Sequence, residues 1–116
     1  MALGNLYELH TGEPAPSERT LSRWAGTTWD GTTTLGLIRA SRKLGMPLRV
    51  LPPGHELSPS DLPALIEIST LPEVHHATLL VAMDEDRIRL LDPDYGLQEA
   101  TRAWLERVQK GKILVP

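Results

Sequence analysis

Residues 76–92 read HATLLVAMDEDRIRLLD, in which two apolar runs flank the acidic residues 84–86. Each run has the length of a strand, and a three-residue polar loop between two such runs is typical of a β-hairpin. The pattern therefore predicts antiparallel strands at 77–83 and 87–91. This hairpin indicates that the C-terminal half of the chain forms an antiparallel sheet.

A histidine and an aspartate lie at the two open ends of this hairpin. His76 begins the first strand and Asp92 ends the second. With the turn near residue 85, residues whose numbers sum to about 170 face each other, which places Asp92 two positions from the partner of His76. A histidine oriented by an acid is the general-base half of a nucleophilic triad. The alternative interpretation is a structural histidine at a strand start and an ordinary Asp-Pro turn.

The rest of the chain divides into helices followed by strands. Apolar periodicity, capping residues and the positions of glycine and proline predict the following elements. They are helices at 2–10, at 18–24, from Thr32 or Thr33 to Leu44 and from Thr101 to Gly111, strands at 48–51, 64–69 and 113–115, and a turn at Gly96. This order predicts an α+β fold, with N-terminal helices packed on an antiparallel sheet, in one domain spanning residues 1–116.

Composition excludes several classes of protein. The chain has 116 residues, 41% of them hydrophobic, and a net charge of −3, which fits a globular domain and disfavours a nucleic-acid binder. No apolar run approaches the roughly 20 residues of a membrane span. The N-terminus lacks the pattern of a signal peptide, so we expect a cytoplasmic protein. The sequence contains no cysteine, so neither disulfides nor thiol chemistry are expected of these residues.

No metal site or cofactor is predicted. His75 and His76 are consecutive on a strand, so their rings point to opposite faces and do not readily chelate one ion. The acidic residues 84–86 do not begin a calcium loop, because Arg89 and Tyr95 stand where glycine and glutamate are required.

Two stretches of the sequence carry a resemblance to a known family. Residues 21–45 contain a Gly-Thr-rich loop that leads into a Leu-Gly-Leu helix. The segments 62–66 (LPALI), 76–81 (HATLLV) and 91–93 (LDP) follow in order. Together they resemble the peptidase C39 family of papain-like, double-glycine leader peptidases, which occur fused to bacteriocin exporters of bacteria or as free domains. The family's spacing between histidine and aspartate is similar to that between His76 and Asp92.

This resemblance implies a papain-like half-barrel in which His76 is the general base and Asp92 orients it. The loop residues Trp29, Asp30, Gly31 and Thr32 are candidates for a substrate-binding groove, and packing within the loop is the alternative role of Trp29. Ala77 stands where the family usually has an aromatic residue. The family's nucleophile lies in a Cys-Gly-Pro segment at the start of the first helix, preceded by a glutamine. Matching Gly12 to the turn after that helix places Met1 just beyond this segment.

We therefore expect a C39-like domain without the nucleophile, a pseudoenzyme that binds a peptide or protein segment, for example one with a Gly-Gly motif. One alternative is a C39-type cysteine peptidase whose Gln and Cys-Gly-Pro segment is missing from these residues. Another is a small structural or assembly domain. Shortening the first helix would expose apolar surface, and pairing of two chains into a homo-oligomer is one way to cover it.

Overall fold

The computed structural model describes residues 1–28, 31–72 and 74–116, and within them the chain forms four α-helices and six β-strands. The helices precede most of the strands, as the sequence predicts. The elements in chain order are α1 (Ala2–Thr11), α2 (Glu18–Ala25), α3 (Thr34–Lys43), β1 (Arg49–Val50), a 3₁₀ turn (Pro59–Asp61), β2 (Ala64–Leu71), β3 (Val74–Met83), β4 (Arg87–Asp92), β5 (Gly96–Thr101), α4 (Arg102–Val108) and β6 (Gln109–Val115).

The helices begin and end at residues whose chemistry favours those positions. Ser17 caps α2, and its hydroxyl accepts a hydrogen bond from the Thr20 N–H at 3.2 Å. Thr33 caps α3 in the same way, with the Gly36 N–H at 3.0 Å. Gly12 ends α1 in the left-handed conformation, with φ of 74°. These boundaries confirm the predicted starts of α2 and α3 and the predicted end of α1.

The strands form one antiparallel sheet in the order β1-β6-β2-β3-β4-β5. β3 lies between β2 and β4, so it has a neighbour on each side. Near its start His76 is opposite Ile68 of β2, and further along Leu79 is opposite Leu91 of β4. Leu79 and Leu80 belong to different cores, because successive side chains of a strand point to opposite faces.

Each face of the sheet covers an apolar core. The core under α1–α3 includes Leu3, Leu6, Leu37, Ala40, Leu65, Leu79 and Leu114. The core on the side of α4 includes Ile66, Ile68, Leu80, Ile88, Leu90, Leu105 and Val108. Because β3 contributes a fully buried leucine to each core, packing fixes this strand on both of its faces.

β5, α4 and β6 differ most from the prediction, and β6 begins at Gln109 where a strand was expected only from residue 113. β5 was expected to be only a turn at Gly96, but it pairs with β4 along its whole length. All but one of its residues are exposed, and it lies at the edge of the sheet, so its sequence lacks apolar alternation. α4 ends at Val108 and not at Gly111. Gly111 lies within β6 at φ of 66°, where a Cβ atom would overlap the carboxylate of Glu67.

Among the described residues, no helix combines the length and the apolar character that crossing a lipid bilayer requires.

Candidate functional site

The His76 ring and the Asp92 carboxylate meet across the β3–β4 hairpin. Leu79 lies opposite Leu91, so the numbers of paired residues sum to 170 in this part of the hairpin. That register carries the end of β4 alongside the start of β3. His76 Nε2 lies 2.6 Å from Asp92 Oδ2. The structure thus brings together the two residues that the sequence indicates as a base and its orienting acid.

Asp92 is held firmly from the side opposite the ring. Its side chain is 4% exposed, and Oδ1 accepts hydrogen bonds from the N–H groups of Asp94 at 2.8 Å and Tyr95 at 3.1 Å. Burial raises the pKa of Asp92, but the N–H of Asp94, the His76 ring and the N–H of Tyr95 together bring that pKa below its ordinary value of 3.8. The carboxyl group is therefore ionised at neutral pH, with Oδ2 directed at the ring.

The hydrogen bond to Asp92 determines the tautomer of the neutral His76 ring. An ionised carboxylate only accepts hydrogen bonds, so Nε2 carries the proton and donates it. The lone pair of the neutral ring is then on Nδ1, which can take a proton from a neighbouring acid. The side chain of His76 is 33% exposed, so part of the ring is accessible. The pair has the arrangement of a general base held by an orienting acid.

A cleft of about 480 Å³ lies beside the His76 ring. This volume is in the range of small-ligand sites, about 300–1,000 Å³. Its walls come from the starts of α1 and α3, from the loop between α2 and α3, and from β2, β3, β6 and the turn after β4. The described residues that line it include Met1, Ala2, Leu3, Gly31, Thr32, Thr34, Leu65, Glu67, His75, His76, Ala77, Pro93, Asp94 and Lys112. The small side chain of Ala77 leaves space here that a larger residue would fill.

Two of the four loop residues expected in a substrate groove line this cleft. Gly31 and Thr32 are among its walls, and the hydroxyl of Thr32 is hydrogen-bonded to that of Thr27 at 2.6 Å. Gly31 has a backbone φ of 119°, a conformation that residues other than glycine rarely adopt. Trp29 and Asp30 lie outside the described residues.

Although His75 and His76 are consecutive on a strand and were expected to point to opposite faces, both line the cleft, and His75 also pairs with a carboxylate. His75 Nδ1 lies 2.7 Å from Glu67 Oε1. The two adjacent histidines therefore bind carboxylates on different neighbouring strands, Glu67 on β2 and Asp92 on β4. Sequence reasoning missed the His75–Glu67 contact. The register of β2 against β3 would have indicated it, because Glu67 is opposite Ala77 and thus diagonal to His75.

Asp94 brings a third potential ligand to the His76–Asp92 pair. One ligand atom from each of His76, Asp92 and Asp94 lies within 4.8 Å of the others. Asp94 is exposed, and the turn after β4 places it at the cleft. Among the residues that the structure describes, these three form the group whose ligand atoms lie close enough together to hold a metal ion.

Comparison with known proteins identifies relatives in archaea. No protein-family model matches the chain. An uncharacterized protein of Methanothermobacter thermautotrophicus and one of Methanothermobacter marburgensis are each 32% identical to it over 100 residues, which cover 85% of this chain and 68% of each relative. The chain belongs to the family of these two archaeal proteins.

Solved structures show that the chain has the fold of C39 peptidase domains. The peptidase domain of Streptococcus ComA, a bifunctional ABC transporter of a quorum-sensing pathway, matches with a TM-score of 0.78 and 18% identity, over 99% of this chain and 88% of that one. The N-terminal peptidase C39-like domain of a toxin-secretion ATP-binding protein from Vibrio parahaemolyticus matches with a TM-score of 0.75 and 16% identity, over 98% and 94% of the two chains. The α+β prediction is confirmed.

A third solved structure with this fold contains a peptide. It is a double-glycine-motif protease from an AMS/PCAT transporter, in complex with the leader peptide. It matches with a TM-score of 0.74 and 18% identity, over 98% of this chain and 79% of that one. At these identities the likeness to the three structures establishes the C39-like fold alone.

Proposed function

We propose that this C39-like domain binds an extended peptide segment in the cleft beside His76 and does not cleave it. The observation that supports this most is the cleft itself, which runs from the start of α1 to the His76–Asp92 pair. One structural neighbour holds a leader peptide. A segment of similar character, with a Gly-Gly motif, is the ligand we propose for this chain.

The cleft offers complementary groups to a peptide backbone. The half-buried residues Met1 and Ala77 give it apolar surface, while Thr32 and the His76 ring supply polar groups at its edges. A main chain needs partners for its N–H and C=O groups wherever it is withdrawn from water. Small residues in the bound segment would allow its backbone to approach Gly31 and Ala77 closely. This fit favours glycine-rich peptides over bulky ones.

The chemistry of the residues present supports binding without cleavage. Acyl transfer by the route of cysteine peptidases begins with attack by a thiolate, which the histidine only activates. The sequence contains no cysteine. His76 and Asp92 therefore supply the base and its orienting acid, and these 116 residues do not supply the nucleophile of that route.

A second candidate is a cysteine peptidase that is completed by a thiol from outside these residues. The intact pair favours this candidate, because an ionised Asp92 directed at His76 is the arrangement that activates a thiol, and peptide binding alone does not require it. By the C39 resemblance, such a cysteine would lie just before Met1, at the start of the first helix. Met1 and Ala2, at the start of that helix, line the same cleft as His76.

Peptide titration tests the first candidate. Fluorescence anisotropy with labelled peptides ending in Gly-Gly should give saturable binding, and His76→Ala and Thr32→Val should each weaken it. His55→Ala is the matched control, because His55 also pairs with an aspartate, Asp61, at 3.0 Å but does not line the cleft. A flat response to all peptides, or an equal loss with His55→Ala, would contradict the proposal.

Adding the nucleophile tests the second candidate. A chain with Gln and Cys-Gly-Pro residues fused ahead of Met1 should cleave a Gly-Gly peptide after the second glycine, as followed by mass spectrometry. His76→Ala and alkylation of the thiol should each abolish cleavage. If the extended protein binds the peptide and leaves it intact, the peptidase candidate is rejected and the binding candidate remains.

A further inference from the structure

We propose that His76, Asp92 and Asp94 form a site for a divalent transition-metal cation of the Zn²⁺ type. One ligand atom from each residue lies within 4.8 Å of the other two. The sequence argument against a metal concerned chelation by the consecutive residues His75 and His76. The proposed set is different, because it joins one of these histidines to the turn that follows β4.

The donor set determines which cation the site prefers. It consists of one imidazole nitrogen and two carboxylate oxygens. Zn²⁺ and related ions accept such mixed nitrogen and oxygen ligands, whereas Mg²⁺ and Ca²⁺ prefer oxygen ligands only. Two ionised carboxylates also balance the charge of a divalent cation. The site should therefore select Zn²⁺ over Ca²⁺.

The supporting contacts keep Asp92 in position for a metal. The N–H groups of Asp94 and Tyr95 hold Asp92 Oδ1, so that Oδ2 remains directed at His76. Hydrogen bonds of this kind to a ligand residue orient it and raise metal affinity. Asp94 and His76 both line the cleft, so water has access to the remaining coordination positions. Three protein ligands and an accessible face are the arrangement of open zinc sites.

Metal binding requires a small local adjustment. His76 Nε2 and Asp92 Oδ2 are 2.6 Å apart. Two ligands of a tetrahedral zinc ion at about 2.0–2.1 Å lie about 3.3 Å from each other. The two atoms must therefore separate by a fraction of an ångström. The His76 side chain is 33% exposed, so its ring has room for that rotation while Asp92 stays fixed.

A bound cation would change what His76 can do. Coordination through Nε2 places the proton of the neutral ring on Nδ1. Nδ1 then has no lone pair with which to accept a proton. The metal-bound state therefore lacks the general base, and the metal and proton-accepting states of this site exclude each other. This inference concerns the state of the pair and goes beyond the proposed binding of peptide.

Zinc titration of the whole chain tests the proposal. Protein treated with EDTA and desalted is titrated with ZnCl₂, followed by calorimetry and by NMR of the imidazole nitrogens. We expect one equivalent to bind, the His76 signals to shift and those of His55 and His75 to stay in place. CaCl₂ at the same concentration should not compete.

Paired substitutions separate a site from general attraction of cations. Asp94→Asn should lower the zinc affinity at least about tenfold, whereas Asp86→Asn, in the exposed hairpin turn, should leave it unchanged. Equal effects of the two substitutions, or shifts at His55 or His75 in place of His76, would overturn the proposal. Peptide binding measured in EDTA is a separate readout, so failure of the metal site and failure of the peptide site are distinguishable.

Discussion

Replacing Asp92 by alanine should destabilise the fold, whereas replacing it by asparagine should do so much less. Asp92 accepts three hydrogen bonds, from the His76 ring and from the N–H groups of Asp94 and Tyr95. Alanine removes all three. A hydrogen bond contributes about 1 kcal/mol net, and more when one partner is charged, so Asp92→Ala should lower the free energy of unfolding by about 3 kcal/mol.

Asparagine keeps an oxygen that accepts from the two N–H groups. It loses only the negative charge and the hydrogen bond that the carboxylate accepts from His76 Nε2. We expect Asp92→Asn to cost about 1 kcal/mol. The difference of about 2 kcal/mol corresponds to about 1 M in the urea midpoint at the usual slope for a small domain. Urea unfolding followed by tryptophan fluorescence and far-UV circular dichroism measures both variants against the parent chain.

The control is Asp94→Ala, because the Asp94 side chain is exposed while its N–H group still binds Asp92. It should change the free energy of unfolding by less than about 0.5 kcal/mol. The reasoning fails if asparagine at position 92 is as damaging as alanine. It also fails if alanine costs no more than the Asp94 control, since the contacts of the carboxylate would then contribute nothing to the fold.

Four further outcomes follow from the described contacts. The pKa of Asp92 is below 3.8 in the folded chain, so its ionised carboxylate stabilises the fold fully above that pH, and this stabilisation is lost as the pH falls through the lower folded pKa. Urea titrations from about pH 5 to about pH 2 should therefore show a smaller loss of unfolding free energy in Asp92→Asn than in the parent chain. In Asp92→Asn the amide N–H₂ faces the ring, so nitrogen NMR should show the proton of neutral His76 moving from Nε2 to Nδ1; a parent-like tautomer would contradict the assigned hydrogen bond. In Gly36→Ala the added methyl group overlaps the carbonyl oxygen of Ala25, so thermal unfolding should show that the free energy of unfolding falls by at least about 2 kcal/mol. Arg39→Ala on the same helix is the control and should lower it by less than about 0.5 kcal/mol. Equal values would contradict the close packing of α2 on α3. Thr33→Ala removes the N-cap of α3 and should lower the free energy of unfolding by about 1 kcal/mol in the same assay. Thr33→Ser keeps the capping hydroxyl and should leave the stability close to that of the parent chain.

The hairpin that carries the site was predictable because its geometry follows from local rules. The strand period of two and a three-residue loop fix which residues face each other. A register shift occurs between Leu80 and Ala82, so that Ala82 is opposite Arg89. This irregularity is on the turn side of the hairpin. Beside the turn the numbers of paired residues sum to 171, and the shift brings them back to the sum of 170 that counting predicts for Leu79 and Leu91, next to the site.

Contacts that join distant parts of the chain were not predictable in this way. The partner of His75 is Glu67, and finding it requires the register of β2 against β3, which no short loop determines. β5 has no apolar alternation because it lies at the edge of the sheet with most side chains in solvent. Gly111 has the appearance of a helix end, but it is needed where β6 passes the Glu67 carboxylate.

Asp92 combines two roles that a single substitution to alanine does not separate. Its Oδ1 atom fixes the turn after β4 through two backbone N–H groups, and its Oδ2 atom fixes the tautomer of His76. Loss of function in Asp92→Ala would therefore report either a displaced turn or a reoriented ring. Asp92→Asn retains the first role and reverses the second. A change of peptide binding or of cleavage in that variant, with stability close to that of the parent, can thus be assigned to the ring of His76.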